Sequence, residues 1–323
     1  MKIMITGGFG FIGSALSRHC LQLGHKVMII DSLTYAANTS SVPPQENLLT
    51  SFVSIVDRYG VESAFSTFRP DVVFHLAAES HVDNSIKAAG VFFDTNVIGT
   101  WTMLEVFRAY YRLLDADEKH RARFVHVSTD EVFGETTPDQ AGFNENTRYD
   151  PRSPYAASKA GSDHIASSFR HTYGLPISIT NCCNNYGPWQ HHEKLLPKAI
   201  ANTLIDSLPV PVYGEGDQFR QWLFVDDHVS ALMEVIKLGN GNYMIGGDHF
   251  MTNLKVLNAL AKAVHKYSGK EMVLEFVQDR PGHDKCYKVD DSTFRNLTGW
   301  SPKTGLEEGF AATVRHIAQQ YSL

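Results

Sequence analysis

The sequence predicts an α/β protein with a doubly wound parallel sheet and a smaller lobe of mixed strands and helices. Short apolar runs alternate with helical patterns through the first half of the chain, which is typical of parallel strands buried between helices on both faces. This alternation weakens after about Thr180. We therefore expect one domain over residues 1–180 and a second lobe over residues 181–323, some of whose strands return to the first sheet.

Each predicted element is an apolar run or a helical period with turn residues at its ends. The expected strands are Ile3–Thr6, Val27–Ile30, Val72–Leu76, Phe124–Ser128, Ile177–Thr180, Val210–Tyr213, Trp222–Val225, Tyr243–Ile245 and Met272–Val277. The expected helices are Phe11–Leu23, Val91–Leu114, Tyr155–Tyr173 and Leu254–Tyr267, with another near the C-terminus. Asn184–Pro188 and the proline-containing stretch Glu135–Pro154 are expected to be loops.

Composition narrows the class of protein. The 323 residues are 43% hydrophobic and 20% charged, with a net charge of −6, which argues against binding to nucleic acid or to an anionic membrane through bulk charge. The four cysteines show no metal-ligand spacing, so we expect no metal site and free thiols in a reducing compartment. With neither a signal peptide nor an apolar run long enough to span a bilayer, the expected location is the cytoplasm.

A glycine-rich turn marks the expected cofactor site. Gly7, Gly10 and Gly13 lie between the first strand and the first helix, where backbone N–H groups can approach a pyrophosphate at the positive end of the helix. The order of strand, glycine turn, helix and second strand is that of a Rossmann fold. Asp31 ends the second strand, where a carboxylate accepts hydrogen bonds from ribose hydroxyls and repels a 2′-phosphate. The pattern therefore predicts NAD rather than NADP.

Tyr155 and Lys159 form the first part of the expected catalytic site. Their spacing places both side chains on one face of a helix that begins after Pro154. A free tyrosine has a pKa near 10, so action as a base near neutral pH requires about 4 kcal/mol of help. Lys159 and a positively charged nicotinamide ring can supply this help by favouring the phenolate.

Thr129, Asp130 and Glu131 form the second part. They follow a predicted strand at the carboxyl edge of the sheet, where parallel sheets bind their ligands. Thr129 can hydrogen-bond the same substrate hydroxyl as Tyr155. The adjacent carboxyl groups can act as an acid and a base on neighbouring carbons, which a plain dehydrogenase does not need. The combination predicts oxidation, elimination and re-reduction in one pocket.

Motifs along nearly the whole chain carry a family resemblance. They are TGGFGFIGS (6–14), DSLTYA (31–36), HLAAESHVDNS (75–85), STDEVFG (128–134), SPYAASKA (153–160), TNCCNNYGP (180–188), EKLLP (193–197), RQWLFVDDH (220–228) and DRPGHD (279–284). The chain resembles the extended short-chain dehydrogenase/reductases and, within them, the nucleotide-sugar 4,6-dehydratases.

This resemblance implies a lyase that acts on a nucleoside-diphosphate glucose, with dTDP-glucose favoured. Tyr155 would deprotonate the 4-hydroxyl while NAD⁺ oxidises C4, and Glu131 would then remove the C5 proton. Asp130 would protonate the departing 6-hydroxyl, and the return of hydride to C6 would yield a 4-keto-6-deoxy sugar. The resemblance also implies a homodimer packed through Val91–Leu114 and Tyr155–Tyr173.

The resemblance assigns further contacts by position. Those to NAD are Phe11, Ile12, Asp31, Leu33, Thr34, Ser54, Ile55, Leu76, Ala77, Ala78, Thr95 and Asn185. Those to the sugar nucleotide, besides Thr129, are Ser80, Asn184, Lys194, Leu195, Tyr213, Arg220, Asn253, Arg280 and His283. Lys194, Arg220 and Arg280 carry the charge to neutralise a diphosphate. The chain departs from the family pattern at Ser54, where an aspartate is usual, and at Met244, where an asparagine is usual.

Two other functions remain open from the sequence. An NAD-dependent sugar epimerase or decarboxylase would share most of these motifs, but it would not need the acid pair Asp130 and Glu131. A non-catalytic NAD-sensing protein could keep the glycine turn, but it would have no need for both Tyr155 and Lys159.

Overall fold

The structure is a computed structural model that describes residues 1–279 and 282–322. Its strands are β1 Lys2–Thr6, β2 Lys26–Ile30, β3 Leu48–Ser51, β4 Val72–His75, β5 Arg123–Thr129, β6 Ile177–Cys182, β7 Asn184–Tyr186, β8 Val210–Tyr213, β9 Phe219–Phe224, β10 Asn242–Ile245, β11 His249–Thr252 and β12 Leu274–Val277. Its helices are α1 Phe11–Gln22, α2 Arg58–Phe68, α3 Val82–Lys87, α4 Ala89–Phe92, α5 Thr100–Arg112, α6 Ala116–Arg121, α7 Pro154–Tyr173, α8 Leu195–Ala201, α9 Val225–Val235, α10 Asn253–Ser268, α11 Ser292–Thr298 and α12 Leu306–Gln320.

A seven-stranded parallel sheet organises the first domain. The strand order is β10-β6-β5-β4-β1-β2-β3, so the direction of winding reverses between β1 and β4. Ligands of such sheets bind at this reversal, beyond the carboxyl ends of the strands. The glycine turn after β1 and the segment after β4 both lie at this position.

Alternating side chains of the strands build a core on each face of the sheet. Ile3 and Ile5 of β1 pack in one core with α1 and α9, whereas Met4 packs in the other core with α2, α5 and α7. All three side chains are fully buried. Helices therefore cover both faces, which confirms the predicted doubly wound fold.

The second lobe has its own core and two small sheets. One sheet has the order β11-β9-β7, and the other pairs β12 with β8. Helices α8, α10 and α12 contribute to a third apolar cluster, which includes Leu196, Val256 and Phe310. Because β10 lies in the large sheet beside β6, the chain returns to the first domain after entering this lobe. The division into residues 1–180 and 181–323 stays a prediction.

Three local differences from the sequence prediction have physical causes. The expected helix over Val91–Leu114 contains a π-helical segment, Phe93–Gly99. At the end of this segment the Thr100 hydroxyl donates to the Asn96 carbonyl at 2.6 Å. The expected loop 184–188 begins as strand β7, because pairing with β9 overrides its turn-forming residues. Val225 starts α9 instead of ending a strand, and acidic residues in the first turn favour that helix end.

Candidate active site

The acid pair lies where β5 ends. Thr129 is the last residue of β5, and Asp130–Phe133 form a single 3-10 turn directly after it. The Thr129 hydroxyl donates to Asp130 Oδ1 at 3.2 Å and accepts from the Glu131 backbone N–H at 3.3 Å. These bonds fix the direction in which the two carboxyl groups leave the strand.

Asp130 is the more deeply buried member of the pair. The residue is 2% exposed, and its Oδ2 atom has no hydrogen-bond partner within residues 1–279 and 282–322. Burial, followed by the charge of Glu131, holds the pKa of Asp130 well above its ordinary value, although the charge of Arg220 opposes this rise. A raised pKa favours the protonated form of Asp130, the form that could donate a proton.

Helix α7 brings Tyr155 to the same place. Tyr155 is 8% exposed, and its phenol hydrogen-bonds with the Thr129 side chain. Burial and the nearby charge of Glu131 raise the pKa of Tyr155 above its ordinary value. The positive charge of Lys159 is not enough to make the phenolate the favoured form, because burial and the carboxyl groups of Glu131, Asp130 and Asp163 act in the opposite direction. A bound oxidised nicotinamide would add a positive charge that favours the phenolate.

Lys159 lies one helical turn after Tyr155 and is 5% exposed. Its ammonium group donates to the Val127 carbonyl of β5 at 2.9 Å, which ties α7 to the strand that carries the acid pair. Burial lowers the pKa of Lys159 to about 8, and the charge of Asp163 opposes this change. The structure thus gathers Thr129, Asp130, Glu131, Tyr155 and Lys159 around the carboxyl end of β5.

The glycine turn has the geometry of a dinucleotide site. Gly7 has a φ of +68°, and a Cβ at Gly13 would lie 2.1 Å from the Gly7 carbonyl oxygen, so both positions require glycine. Gly10 precedes α1 with no side-chain cap, and no acidic residue lies in the first turn of that helix. The N–H groups at the positive end of the helix are therefore available to a pyrophosphate.

The residues that follow β2 and β4 also fit NAD. Asp31 directly follows β2 and is 8% exposed, with its carboxylate accepting from the Phe9 and Leu33 backbone N–H groups at 3.0 and 2.9 Å. A carboxylate fixed in this way can accept further bonds from ribose hydroxyls. Leu76 and Ala77 follow β4, and their backbone N–H groups donate to the Thr6 hydroxyl.

Substituting Gly13 with Ala is expected to weaken NAD binding. The added methyl group meets backbone atoms that cannot move aside, and such overpacking costs about 1–3 kcal/mol, which corresponds to a roughly 5- to 150-fold loss of affinity. Titration calorimetry measures this change. Gly239→Ala is the matched control, because its added methyl group meets no atom within 4 Å. A Gly13→Ala protein that binds NAD as tightly as the wild type would contradict the assignment of this turn.

Other residues expected at the NAD site are distributed along the same edge of the sheet or behind it. Phe11 and Ile12 start α1, Thr34 and Ala78 lie in the segments after β2 and β4, Thr95 lies in the π-helical segment, and Asn185 lies in β7. Ser54 accepts from the Val56 backbone N–H at 3.4 Å, whereas Ile55 is 4% exposed and packs against Gly99. The contact made by Ile55 is thus with the core.

The expected substrate residues lie mostly in the second lobe. Asn184 is in β7, Leu195 begins α8, Tyr213 ends β8, Asn253 begins α10, and His283 lies 2.6 Å from Asp279. Lys194 Nζ donates to the Ser80 carbonyl at 3.0 Å, which joins the second lobe to the segment after β4. Arg220, 5% exposed, donates to the carbonyls of Phe219 and Asp284. Arg280 lies outside the described residues.

Comparison with known proteins decides between the enzyme classes that share this fold. A family model described as GDP-mannose 4,6 dehydratase matches residues 4–313. The dTDP-glucose 4,6-dehydratase of Haemophilus influenzae is 44% identical, over 98% of this chain and 97% of that protein. The chain belongs to the nucleotide-sugar 4,6-dehydratase family.

Solved structures show what this family shares with its neighbours. A dTDP-glucose 4,6-dehydratase of Streptomyces venezuelae, solved with NAD bound, has a TM-score of 0.89 at 38% identity and covers 99% of this chain and 97% of its own. The UDP-glucose 4-epimerase of Thermus thermophilus, also with NAD, has a TM-score of 0.88 at 30% identity, covering 98% of this chain and 99% of its own. Backbone shape therefore does not separate dehydratases from epimerases.

The sequence interpretation missed a set of polar residues behind the dehydratase site. Asp163, His126 and Asn181 are buried beneath Tyr155 and Lys159, and His126 and Asn181 each hydrogen-bond the Asp163 carboxylate. One signal for this set was present, because Asp163 follows Lys159 by four residues and therefore shares its helical face. Its partners on β5 and β6 become neighbours only through the pairing of these two strands.

Proposed function

We propose that this chain catalyses the NAD-dependent dehydration of dTDP-glucose to the 4-keto-6-deoxy sugar. The observation that carries the proposal is the buried carboxyl group of Asp130, which lies next to Glu131 and accepts a hydrogen bond from Thr129, beside the phenol of Tyr155. The substrate follows from the relatives, which are named for their action on dTDP-glucose. The class of reaction is that of a hydro-lyase.

Tyr155 is the base for the first step. Its phenol takes the proton of the sugar 4-hydroxyl, and Thr129 positions that hydroxyl through the hydrogen bond that it shares with Tyr155. Lys159 holds a positive charge behind the phenol and is itself anchored to β5. When bound, NAD supplies the oxidation of C4 and the later reduction of C6, so it is regenerated in each turnover.

Glu131 and Asp130 divide the elimination between them. Oxidation at C4 acidifies the C5 proton, and Glu131 removes it as a base. Asp130 donates its proton to the 6-hydroxyl, which leaves as water. Because the two side chains follow each other directly after β5, they can act on the neighbouring carbons C5 and C6. An epimerase has no use for this division of roles.

A panel of nucleotide sugars tests the proposed reaction. The purified protein with NAD is incubated separately with dTDP-, UDP-, CDP- and GDP-glucose, and the masses of the products are measured by mass spectrometry. We expect the dTDP sugar to lose one water most rapidly. An unchanged mass with inversion at C4, detected by NMR, would favour an epimerase. Loss of carbon dioxide in a further incubation with UDP-glucuronic acid would favour a decarboxylase, and no turnover with any sugar would favour an NAD-sensing protein.

Substrate binding by the second lobe is part of the proposal. Lys194 and Arg220 provide positive charge for a diphosphate, and Asn184, Asn253 and Tyr213 provide polar groups for the nucleoside and the sugar. The Asn184 Oδ1 atom is buried with no hydrogen-bond partner in the described part of the chain, which supports a ligand contact there.

We also propose a homodimer, supported by an apolar surface next to α7. Val91, Phe93, Ile98 and Trp101 lie on the continuous segment formed by α4, the π-helical turns and α5, and each is 42–53% exposed. Neighbouring exposed side chains of this size favour contact with another protein surface. The second copy of the chain is the partner expected for this segment.

A charge in the middle of this surface is expected to prevent dimer formation. Trp101→Glu places a carboxylate where the dimer would bury it without a partner, which is costly. Analytical ultracentrifugation should show a dimer for the wild type and a monomer for the variant. Leu23→Glu is the control, since Leu23 is 55% exposed at the end of α1 on the other face of the sheet. A monomeric wild type, or a dimeric Trp101→Glu protein, would contradict the proposal.

The cytoplasm remains our expectation for where the protein works. All four cysteines are free and buried. Within residues 1–279 and 282–322, the helices are too short or too polar to cross a membrane. The same residues contain no cluster of His, Cys, Asp or Glu suited to a metal ion.

A further inference from the structure

Asp163 is a buried carboxylate that the proposed reaction does not use. It lies on α7, one helical turn beyond Lys159 and two beyond Tyr155, so all three side chains share one face of the helix. The residue is 1% exposed. A carboxylate at this depth is costly unless hydrogen bonds satisfy it, which makes its partners informative.

Four donors from three parts of the chain satisfy this carboxylate. Its Oδ1 atom lies 3.0 Å from His126 Nε2 on β5. Its Oδ2 atom accepts from the Ser128 hydroxyl at 2.9 Å, the Asn181 amide at 3.0 Å and the Tyr149 hydroxyl at 3.1 Å. The carboxylate therefore connects α7 to the ends of β5 and β6 and to the loop that follows Gly134.

These connections reach the residues that carry the acid pair. Ser128 directly precedes Thr129, and the Asn181 amide nitrogen that donates to Asp163 also donates to the Thr129 carbonyl at 3.0 Å. On the helix, Lys159 donates to the Val127 carbonyl. The hydrogen bond donated by Lys159 and those accepted by Asp163 thus tie the end of β5 to α7, immediately before Asp130 and Glu131.

We propose that Asp163 is a positioning residue, which holds the strand end carrying Thr129, Asp130 and Glu131 at a fixed distance from Tyr155 and Lys159 on α7. The inference rests on the proposed function, because it assigns Asp163 to the alignment of the base with the acid pair. Catalytic groups need placement to within a fraction of an ångström, and a displacement of about 1 Å can cost roughly 100-fold in rate.

Asp163 also supplies the negative charge nearest to Lys159. Burial alone would raise the pKa of Asp163, but hydrogen bonds from His126 and Ser128 and the charge of Lys159 hold it below its ordinary value. The carboxylate thus remains ionised. Of the other groups that face Lys159, His75 on β4 and His126 on β5 both have lowered pKa values because of burial and are neutral.

Loss of the Asp163 charge would shift the pKa of Lys159 in a defined direction. The pKa of Lys159 is about 8 with Asp163 present, since the carboxylate opposes the effect of burial. Without the carboxylate, the lysine pKa falls further, and Lys159 loses its proton at a lower pH. Activity that depends on the charged lysine then declines at a lower pH on the alkaline side of its profile.

Asp163→Asn tests the proposal, since it keeps the size of the side chain and removes its charge. We expect kcat for dTDP-glucose to fall about 10- to 100-fold with KM within about threefold, because alignment is lost but the substrate contacts remain. We also expect the alkaline limb of the kcat profile to move to lower pH. NAD affinity should not change, because the hydrogen-bond partners of Asp163 lie on β5, on β6 and in the loop after Gly134, and not in the glycine turn.

Asp227→Asn is the matched control. Asp227 is a buried carboxylate in α9 that accepts from the Lys303 and Thr304 backbone N–H groups at 3.0 and 2.9 Å. Its loss should lower the melting temperature without moving the pH profile, which separates a general loss of stability from the proposed role. If Asp163→Asn does not fold, Ser128→Ala removes one of the same bonds without a change of charge and should lower kcat about threefold or more.

An Asp163→Asn enzyme with wild-type kcat, or with an unmoved alkaline limb, would overturn the inference. If Asp163→Asn does not fold, unchanged activity of Ser128→Ala would overturn the inference in its place. A wild-type protein that does not turn over any nucleotide sugar would instead refute the proposed function, so the two failures are distinguishable.

Discussion

Tyr155→Phe should reduce the formation of the 4-keto-6-deoxy sugar by about 100- to 10,000-fold, the range typical for the loss of a catalytic base. Phenylalanine keeps the aromatic ring in its buried position and removes only the hydroxyl that we propose takes the proton from the sugar 4-hydroxyl. Chromatography of the product over time measures the effect.

The matched control for this experiment is Tyr110→Phe. Tyr110 also loses one hydrogen bond, from its hydroxyl to the Pro70 carbonyl at 3.0 Å, but it lies on α5 away from the acid pair. Its kcat should stay near the wild-type value. If Tyr155→Phe kept wild-type turnover, another group would have to be the base, and the assignment of Tyr155 would fail.

Asp130→Asn should separate the two halves of the elimination. The amide has the shape of the protonated acid but cannot release a proton to the departing hydroxyl, so water loss should fall about 100- to 10,000-fold. Tyr155 and Glu131 remain in this variant, so C4 should still be oxidised and the C5 proton should still exchange. In deuterated water, NMR should show deuterium entering C5 of the substrate with little product.

Glu131→Gln provides the contrast for this experiment. It removes the proposed base for C5, so both exchange and product formation should fall together. Equal losses of exchange in the two variants would show that Asp130 does not have the separate role of acid. Wild-type product formation by Asp130→Asn would exclude it from proton donation altogether.

The sequence predicted correctly those strands that are buried on both faces. β1, β2, β4, β5 and β6 read as continuous apolar runs because helices cover both sides of the sheet. The edge strand β3 gave no such signal, since Leu48–Ser51 are at most partly buried and the strand exists through its pairing with β2. β7 consists of Asn184–Tyr186, whose turn-forming residues yield to long-range pairing with β9.

The site was predictable where the chemistry is local in sequence. The glycine turn, the Tyr155 and Lys159 pair and the acid pair each occupy a few consecutive residues, and the sheet brings them to one edge. The depth at which these side chains are buried could not be predicted from the same residues. Asp130 and Glu131 are neighbours in sequence, yet the depth of Asp130 follows from the packing around β5. The raised pKa of Tyr155 likewise depends on the burial of its helix.

The path of the hydrogen atom on C4 tests the central claim most directly. dTDP-glucose labelled with deuterium at C4 is converted by the wild-type protein with NAD, and the product is read by NMR. We expect one water lost and the deuterium recovered at C6 of the same sugar, because oxidation, water loss and reduction occur in a single pocket. Deuterium that is released to the solvent, or that returns to C4 in a sugar of unchanged mass, would contradict the account.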